Sequence, residues 1–289
     1  MTVSKPTNLV VSVRQRLRNL ARADGMDYQP ILERYAGERI LYRLQHTAGG
    51  DRFTLKGAAL WVVWEGAPRR PTRDVDLLGP GRGTPETMGE IFRAACVVDV
   101  APDGLSFDPA SVDAAVIRED EDYEGVRVTM VAQLGRAVIP VQVDIGFGDA
   151  VTPAPIVAVL PPLLDFPAVQ MRMYPVETVV AEKFEAMVKR GLLNTRMKDF
   201  YDLVILSETR TFDLATLQQA VTRTFEKRGT ALPTSELPVA LTPAFAADKS
   251  TLWLGYLDKN DLIDVPRDLG IVVEKLRIFL GPVTAAGAA

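Results

Sequence analysis

The chain has 289 residues, 47% hydrophobic against 24% charged, the balance of a folded protein with a sizeable core, which excludes a disordered chain. Its 33 basic and 37 acidic side chains leave a formal charge of -4, so it is no general binder of polyanions and any nucleic-acid contact must be focal. One cysteine, Cys96, excludes an intramolecular disulfide, and one histidine, His46, excludes a Cys/His zinc cluster.

At about 150 residues per domain the length predicts two lobes. Lys5, Arg14, Arg16 and Arg18 run through the apolar positions of the N-terminal stretch, which therefore lacks a signal-peptide core. The longest charge-free stretch, residues 150–164, is broken by Pro153, Pro155, Pro161 and Pro162, so no membrane span and a cytoplasmic location are expected.

Residues 8–46 carry apolar side chains three or four apart, with a break at Asp24-Gly25, and predict two or three helices. These helices hold Arg14, Arg16, Arg18, Arg22, Arg34, Arg39 and Arg43, read either as solvated helix faces or as an RNA or partner surface. Strand signals follow at 53–55 and 75–78, with a helix at 58–64 between them. A Gly/Pro loop at 79–83 lacks the spacing of a phosphate-binding P-loop and precedes a helix at 85–95. Short β-like runs stand at 114–117, 126–131 and 138–145, with 119–122 as a solvated acidic loop. Five prolines between 153 and 167 predict an extended connector. Beyond it, helices are expected at 176–189, 197–206, 214–226 and 272–280, and a frayed end at 284–289.

The strongest chemical pattern is Gly57-Ala58, then Arg73-Asp74-Val75-Asp76, then Val141-Gln142-Val143-Asp144. In an extended strand residues i and i+2 share a face, so Asp74 and Asp76 aim two carboxylates at one spot. Asp144 occupies the polar phase of another β-like run. Three such acids suit Mg²⁺, a hard cation with oxygen ligands, and can hold two ions for phosphoryl transfer. Gly57, in a strand-to-helix turn without a side chain, lets phosphate approach the backbone N–H groups of the turn. Lys183 on its own spacing reads as a lysine on the wet face of an amphipathic helix, and Asp202 as structural. Arg69, Arg70 and Arg73 balance the acids or bind triphosphate or RNA. Cys96, Trp61 and Trp64 are expected in the core, and His46 at the surface or at a helix cap.

The Gly turn followed by Asp-x-Asp resembles the DNA polymerase β-like nucleotidyltransferase superfamily. Leu55-Lys56-Gly57-Ala58-Ala59-Leu60, Arg70-Pro71-Thr72-Arg73-Asp74-Val75-Asp76, Asp144-Ile145-Gly146-Phe147-Gly148-Asp149, Glu177 through Glu182-Lys183, and Arg196-Met197-Lys198-Asp199-Phe200-Tyr201-Asp202-Leu203 more closely resemble the AbiEii/AbiGii toxin nucleotidyltransferases, in family order. One departure is Ala58, where the wider superfamily usually carries Ser or Gly. The resemblance implies an α+β fold: N-terminal helices over 1–50, a polymerase β-like core of mixed sheet and flanking helices over 51–150, the connector over 151–170 and a mainly helical lobe over 171–289. It implies an enzyme, a toxin of a toxin–antitoxin or phage-defence system, that moves a nucleoside monophosphate from NTP to an acceptor hydroxyl. The 3′ end of tRNA is the leading acceptor, and a cognate antitoxin is the protein partner. Asp74, Asp76 and Asp144 would hold Mg²⁺, in two ions. Asp144 would also help deprotonate the attacking hydroxyl. Lys56, Gly57, Ala58, Arg73 and Lys183 would hold the nucleotide, Asp199 would orient it or the acceptor, and Arg69, Arg70, Arg196 and Lys198 are candidates for RNA contact. A small-molecule acceptor of the aminoglycoside kind, and a non-catalytic nucleotide- or RNA-binding regulator on the same fold, remain open.

Overall fold

The computed structural model describes residues 7–72, 74–120, 123–233 and 238–284. The chain divides into two compact units that interleave in sequence, one of Met1–Gly148 with Ile156–Met173, the other of Asp149–Pro155 with Tyr174–Ala289.

The first unit runs α1 (Thr7–Ala23), α2 (Tyr28–Gln45), β1 (Thr54–Lys56), a short α3 (Leu60–Glu65), β2 (Val75–Gly79), α4 (Pro85–Val97), β3 (Ser106–Asp120), β4 (Tyr123–Leu134), β5 (Ala137–Phe147), β6 (Ile156–Leu160) and β7 (Val169–Met173). Among the described residues these strands form one mixed sheet in the order β3-β4-β5-β2-β1-β7-β6. The pairs β2/β5 and β1/β7 are parallel and the others antiparallel. Period-two patterning explains the central strands: Val75 and Leu77 of β2, with Val141 and Val143 of β5, are buried. Helix α2 lies on that face, where Gly37 lets it approach Val75. The intervening positions of both strands therefore point to the opposite face.

Four expectations change on this unit. The proline-rich stretch is no simple connector, because it supplies β6 and β7. Pro155 and Pro161 bracket β6, an edge strand, so the missing N–H groups interrupt no ladder. The β3 and β4 strands are far longer than the short runs at 114–117 and 126–131, and β3 absorbs Pro109 beside a bulge between Asp108 and Asp113. Of the acidic loop at 119–122, Glu119 and Asp120 belong to β3, and residues 121 and 122 lie outside the described residues. Finally, Arg39 and Arg43 are buried. Both bind Asp103, Arg43 through a fork of 2.7 and 3.1 Å and Arg39 at 3.1 Å, while Tyr35 Oη donates to the Asp103 carbonyl at 2.7 Å. These two arginines pin α2 to the segment before β3 and are not available to RNA.

The second unit holds α5 (Val176–Arg190), α6 (Met197–Thr209), α7 (Leu214–Arg228), α8 (Pro243–Lys259) and α9 (Leu269–Thr284). Asp213 caps α7 by accepting from Thr216 N–H at 2.8 Å, and Gly229 ends it in the left-handed region at φ 64°. Phe184 meets Phe225, and Phe200 stacks on Phe245, each at 5.4 Å between ring centroids. Sequence patterning misses α8, although Thr242 caps it and Pro243 opens it. Its buried side chains, Phe245, Ala246, Trp253 and Leu257, are too sparse for a clear helical stripe. Residues 285–289, expected to fray, lie outside the described residues, and no described helix is long and apolar enough to cross a membrane.

Candidate active site

Four charged residues stand in one row across the first unit's sheet. Lys56 of β1 is in register with Asp76 of β2, Asp76 with Asp144 of β5, and Asp144 with Arg127 of β4. Residues in register on neighbouring strands share a face and lie about 5 Å apart, so two carboxylates stand side by side with a cation beyond each. Asp74 precedes β2 at an exposed bend, outside the ladder, and lines a cavity with Glu33, Arg34 and Glu38 of α2.

Asp144 is buried and held on both oxygens. Arg127 Nε donates to Oδ1 and Nη2 to Oδ2, each at 2.8 Å, and Gln142 Nε2 adds a bond of 3.3 Å to Oδ2. Sequence motifs miss Arg127, yet a signal for it exists. Gly135-Arg136 is a two-residue hairpin turn with Gly135 at φ 66°, and Leu134 pairs with Ala137 across it. Counting back equally along both strands sets Arg127 opposite Asp144.

Gly57 follows β1 at φ 72° and opens a 3-10 turn, Gly57–Ala59, that runs into α3. A β-carbon built there would overlap the Asp76 carboxylate, so the missing side chain makes room for a carboxylate as well as for backbone. Lys56, at the N-terminal edge of that turn, makes no side-chain cap, and Ala58 is buried. Arg69 pairs with Glu65 on the loop before β2, Arg70 follows it in the same loop, and Arg73 lies outside the described residues. His46 caps α2 with its ring edge-on to Tyr42, Trp61 and Trp64 meet edge to face, and Cys96 is buried.

The second unit gathers the remaining predicted residues around Asp199, which is buried in the first turn of α6. Lys183 Nζ reaches Asp199 Oδ1 and Asp202 Oδ2, each at 2.7 Å, and Arg196 Nε reaches Asp199 Oδ2 at 2.7 Å. Burial alone would raise the Asp199 carboxyl, but the Lys183 ammonium and Arg196 guanidinium outweigh it and hold the group well below the usual carboxylate range. Lys183 is thus no solvated surface lysine. Asn194, fully buried, accepts from the Arg196 backbone N–H at 2.9 Å and shapes the entry to α6. Lys198 is exposed on the same helix.

A second cluster in this unit centres on Arg228, at the end of α7. It pairs with Asp149 at 3.0 Å, Glu182 at 3.3 Å and Glu185 at 2.9 Å, while Tyr174 Oη donates to Glu182 at 3.2 Å. Arg228 lies far from the recognised blocks in sequence yet binds the acids at the end of one block and beside Lys183 in another.

The donor chemistry of Asp76 and Asp144 in the row, with Asp74 just before β2, suits a hard divalent cation, since all three offer only carboxylate oxygens. Asp144 Oδ1 keeps a lone pair beyond its bond to Arg127, while Oδ2 accepts from both Arg127 and Gln142. Among the described residues, no three acidic or thiol/imidazole side chains are drawn around one point. The described acids stand along the sheet without forming a closed cage.

A family model for the nucleotidyl transferase AbiEii toxin of type IV toxin–antitoxin systems matches residues 39–274, most of the chain. The chain belongs to the AbiEii family. AbiEii membership makes it a nucleotidyltransferase of toxin–antitoxin type. No curated protein matches it in sequence. Two solved Helicobacter pylori structures are similar to this AbiEii chain: JHP933, at 16% identity and TM-score 0.48, covering 87% of this chain and 91% of its own, and a protein provisionally described as a nucleotidyltransferase, at 15% and 0.46, covering 90% and 97%.

Proposed function

We propose that the sheet of the first unit is a polymerase β-like catalytic core that transfers a nucleoside monophosphate from NTP to the 3′-terminal hydroxyl of tRNA, releasing pyrophosphate and arresting translation. The observation that carries this reading is the in-register pair Asp76 and Asp144, with Gly57 pressed against the Asp76 carboxylate. Asp74, Asp76 and Asp144 would hold Mg²⁺, in two ions, which supplies charge neutralisation at the transferring phosphorus and lowers the pKa of the attacking hydroxyl.

The chain's own groups do the positioning. Backbone N–H groups of the Gly57–Ala59 turn meet phosphate oxygens, and a glycine there lets those oxygens approach. Lys56 stands at the end of the row and adds a cation next to Asp76. Asp144 accepts the proton of the acceptor hydroxyl, and its buried carboxylate is oriented by Arg127 and Gln142 before the substrates arrive. Lys183, gripped by Asp199 and Asp202, is assigned to the triphosphate on the family resemblance, and Asp199 fixes its direction. Arg73 is assigned to the nucleotide, Arg69, Arg70, Arg196 and Lys198 to RNA phosphates, and a cognate antitoxin of the type IV kind is the protein partner.

Incubation with total RNA, Mg²⁺ and each α-labelled NTP in turn tests the reading. Label should enter the tRNA fraction with one or more nucleotides, vanish with EDTA and vanish with Asp76→Ala. Label that enters no RNA, or that survives Asp76→Ala, overturns it.

A further inference from the structure

The blocks that carry the family resemblance pass from Asp76 to Asp144 and assign nothing to β4, yet the most complete ion pair of the row lies there. Both Asp144 oxygens are taken by one guanidinium in a parallel fork, the strongest geometry available to an arginine and a carboxylate. The two partners differ in freedom. The Asp144 side chain is 10% exposed and Arg127 is 41% exposed, so the anion is fixed in the sheet and the cation reaches in from its wet side. Gln142, two residues along β5 on the same face, keeps a hold on Asp144 that does not depend on Arg127. Asp76 stands in register on the other side. Two carboxylates so close repel each other, and Arg127 offsets that repulsion at Asp144 while Lys56 stands in register beyond Asp76.

The geometry points to Arg127 as a positioning cation for Asp144: it holds the carboxylate in the Asp76 row until a divalent ion supplies the same neutralisation, and the guanidinium and the ion compete for it. This rests on the proposal that Asp76 and Asp144 ligate the ion. Placing a divalent cation about 5 Å from a guanidinium costs at least a roughly tenfold factor in affinity even at the dielectric of bulk water.

Mn²⁺ binding to the nucleotide-free full chain, followed by the loss of free-ion EPR signal, separates the possibilities. Arg127→Gln should bind Mn²⁺ about tenfold or more tightly than wild type while its nucleotidyl transfer slows. In an Asp144→Asn background the same substitution should bring a clearly smaller tightening, since the competition for that carboxylate is gone and only the direct repulsion of the ion remains. An arginine that merely supported the strand would give the opposite result, because its loss would loosen Asp144 and weaken binding. Unchanged or weaker Mn²⁺ binding in Arg127→Gln therefore overturns the inference. Should that variant fail to fold, Arg127→Lys carries the test: it keeps the charge but loses the fork, so Mn²⁺ should bind several-fold more tightly, and unchanged or weaker binding again overturns it. Mn²⁺ binding that Asp76→Asn leaves intact overturns the metal reading itself, and this inference with it.

Discussion

Gly57 and Asp76 share a space that has room for only one side chain: the position of a β-carbon on Gly57 is already filled by the carboxylate, carboxyl carbon and β-carbon of Asp76. Gly57→Ala must therefore displace the acid and also place a non-glycine residue at φ 72°. The backbone alone costs about 1–2 kcal/mol. A fall in melting temperature of several degrees, accompanied by a loss of labelling well beyond what that destabilisation explains, is the expected result.

Asp144→Asn keeps the shape of the side chain and removes its charge. Arg127 then faces a neutral amide, and the proton acceptor of the proposed reaction is lost. Labelling should fall about 10²–10³-fold, the magnitude typical of removing one preorganised electrostatic contact, with the circular dichroism spectrum unchanged. Transfer within a few fold of wild type would remove Asp144 from the chemistry.

The Asp199 cluster predicts an acid-dependent stability. A carboxylate held below its ordinary pKa of about 3.9 stabilises the fold fully above that value and loses its contribution as pH falls toward the folded pKa. Asp199→Asn, which strips a buried partner from Lys183 and Arg196, should cost about 3 kcal/mol near neutrality. The gap in melting temperature between this variant and wild type should stay constant from pH 7 to about 5 and narrow below about pH 4. A gap that widens toward acid would contradict the arrangement.

Asp103 tests the anchoring of α2. It is the shared acceptor of two buried guanidinium groups, and Asp103→Ala would leave both without it. The expected cost is about 3–5 kcal/mol, read by chemical denaturation, with any loss of transfer following the loss of folded protein.

Cys96 gives a chemical reporter of folding. Burial pushes its thiol up to about 11, so at pH 8 the native protein should react with a disulfide reagent far more slowly than a free cysteine and regain full reactivity in denaturant.

Much of the first unit is legible in sequence because its strands alternate cleanly and its acids fall on the polar phase. Asp76 and Asp144 could be set on one face from period two alone. Their adjacency could not, since β5 reaches β2 only by the sheet order, which places a strand from residues 137–147 beside one from residues 75–79. Arg127 was within reach of a register count from Gly135-Arg136, whereas Arg228 and Asp103 were not: each meets its partners through tertiary packing across 43 to 79 residues of chain in the one case and 60 to 64 in the other. The basic opening helices misled for a related reason, as composition cannot tell a solvated arginine from Arg39 and Arg43, whose charges are spent on one buried acid. The prolines of 153–167 misled because proline forbids a central strand but not the ends of an edge strand.

Strand β1 is three residues long and is held between β2 and β7. β2 follows it closely, but β7 comes more than a hundred residues later, after the chain has already entered and left the second unit. On the ribosome, a nascent chain that stops short of residue 169 has made every acid of the row while the edge beside Lys56 and Gly57 stays open. Early termination would leave the carboxylates of Asp76 and Asp144 in the chain and the turn after β1 without its neighbouring strand, so the frame around Gly57 is completed only once β7 has been made.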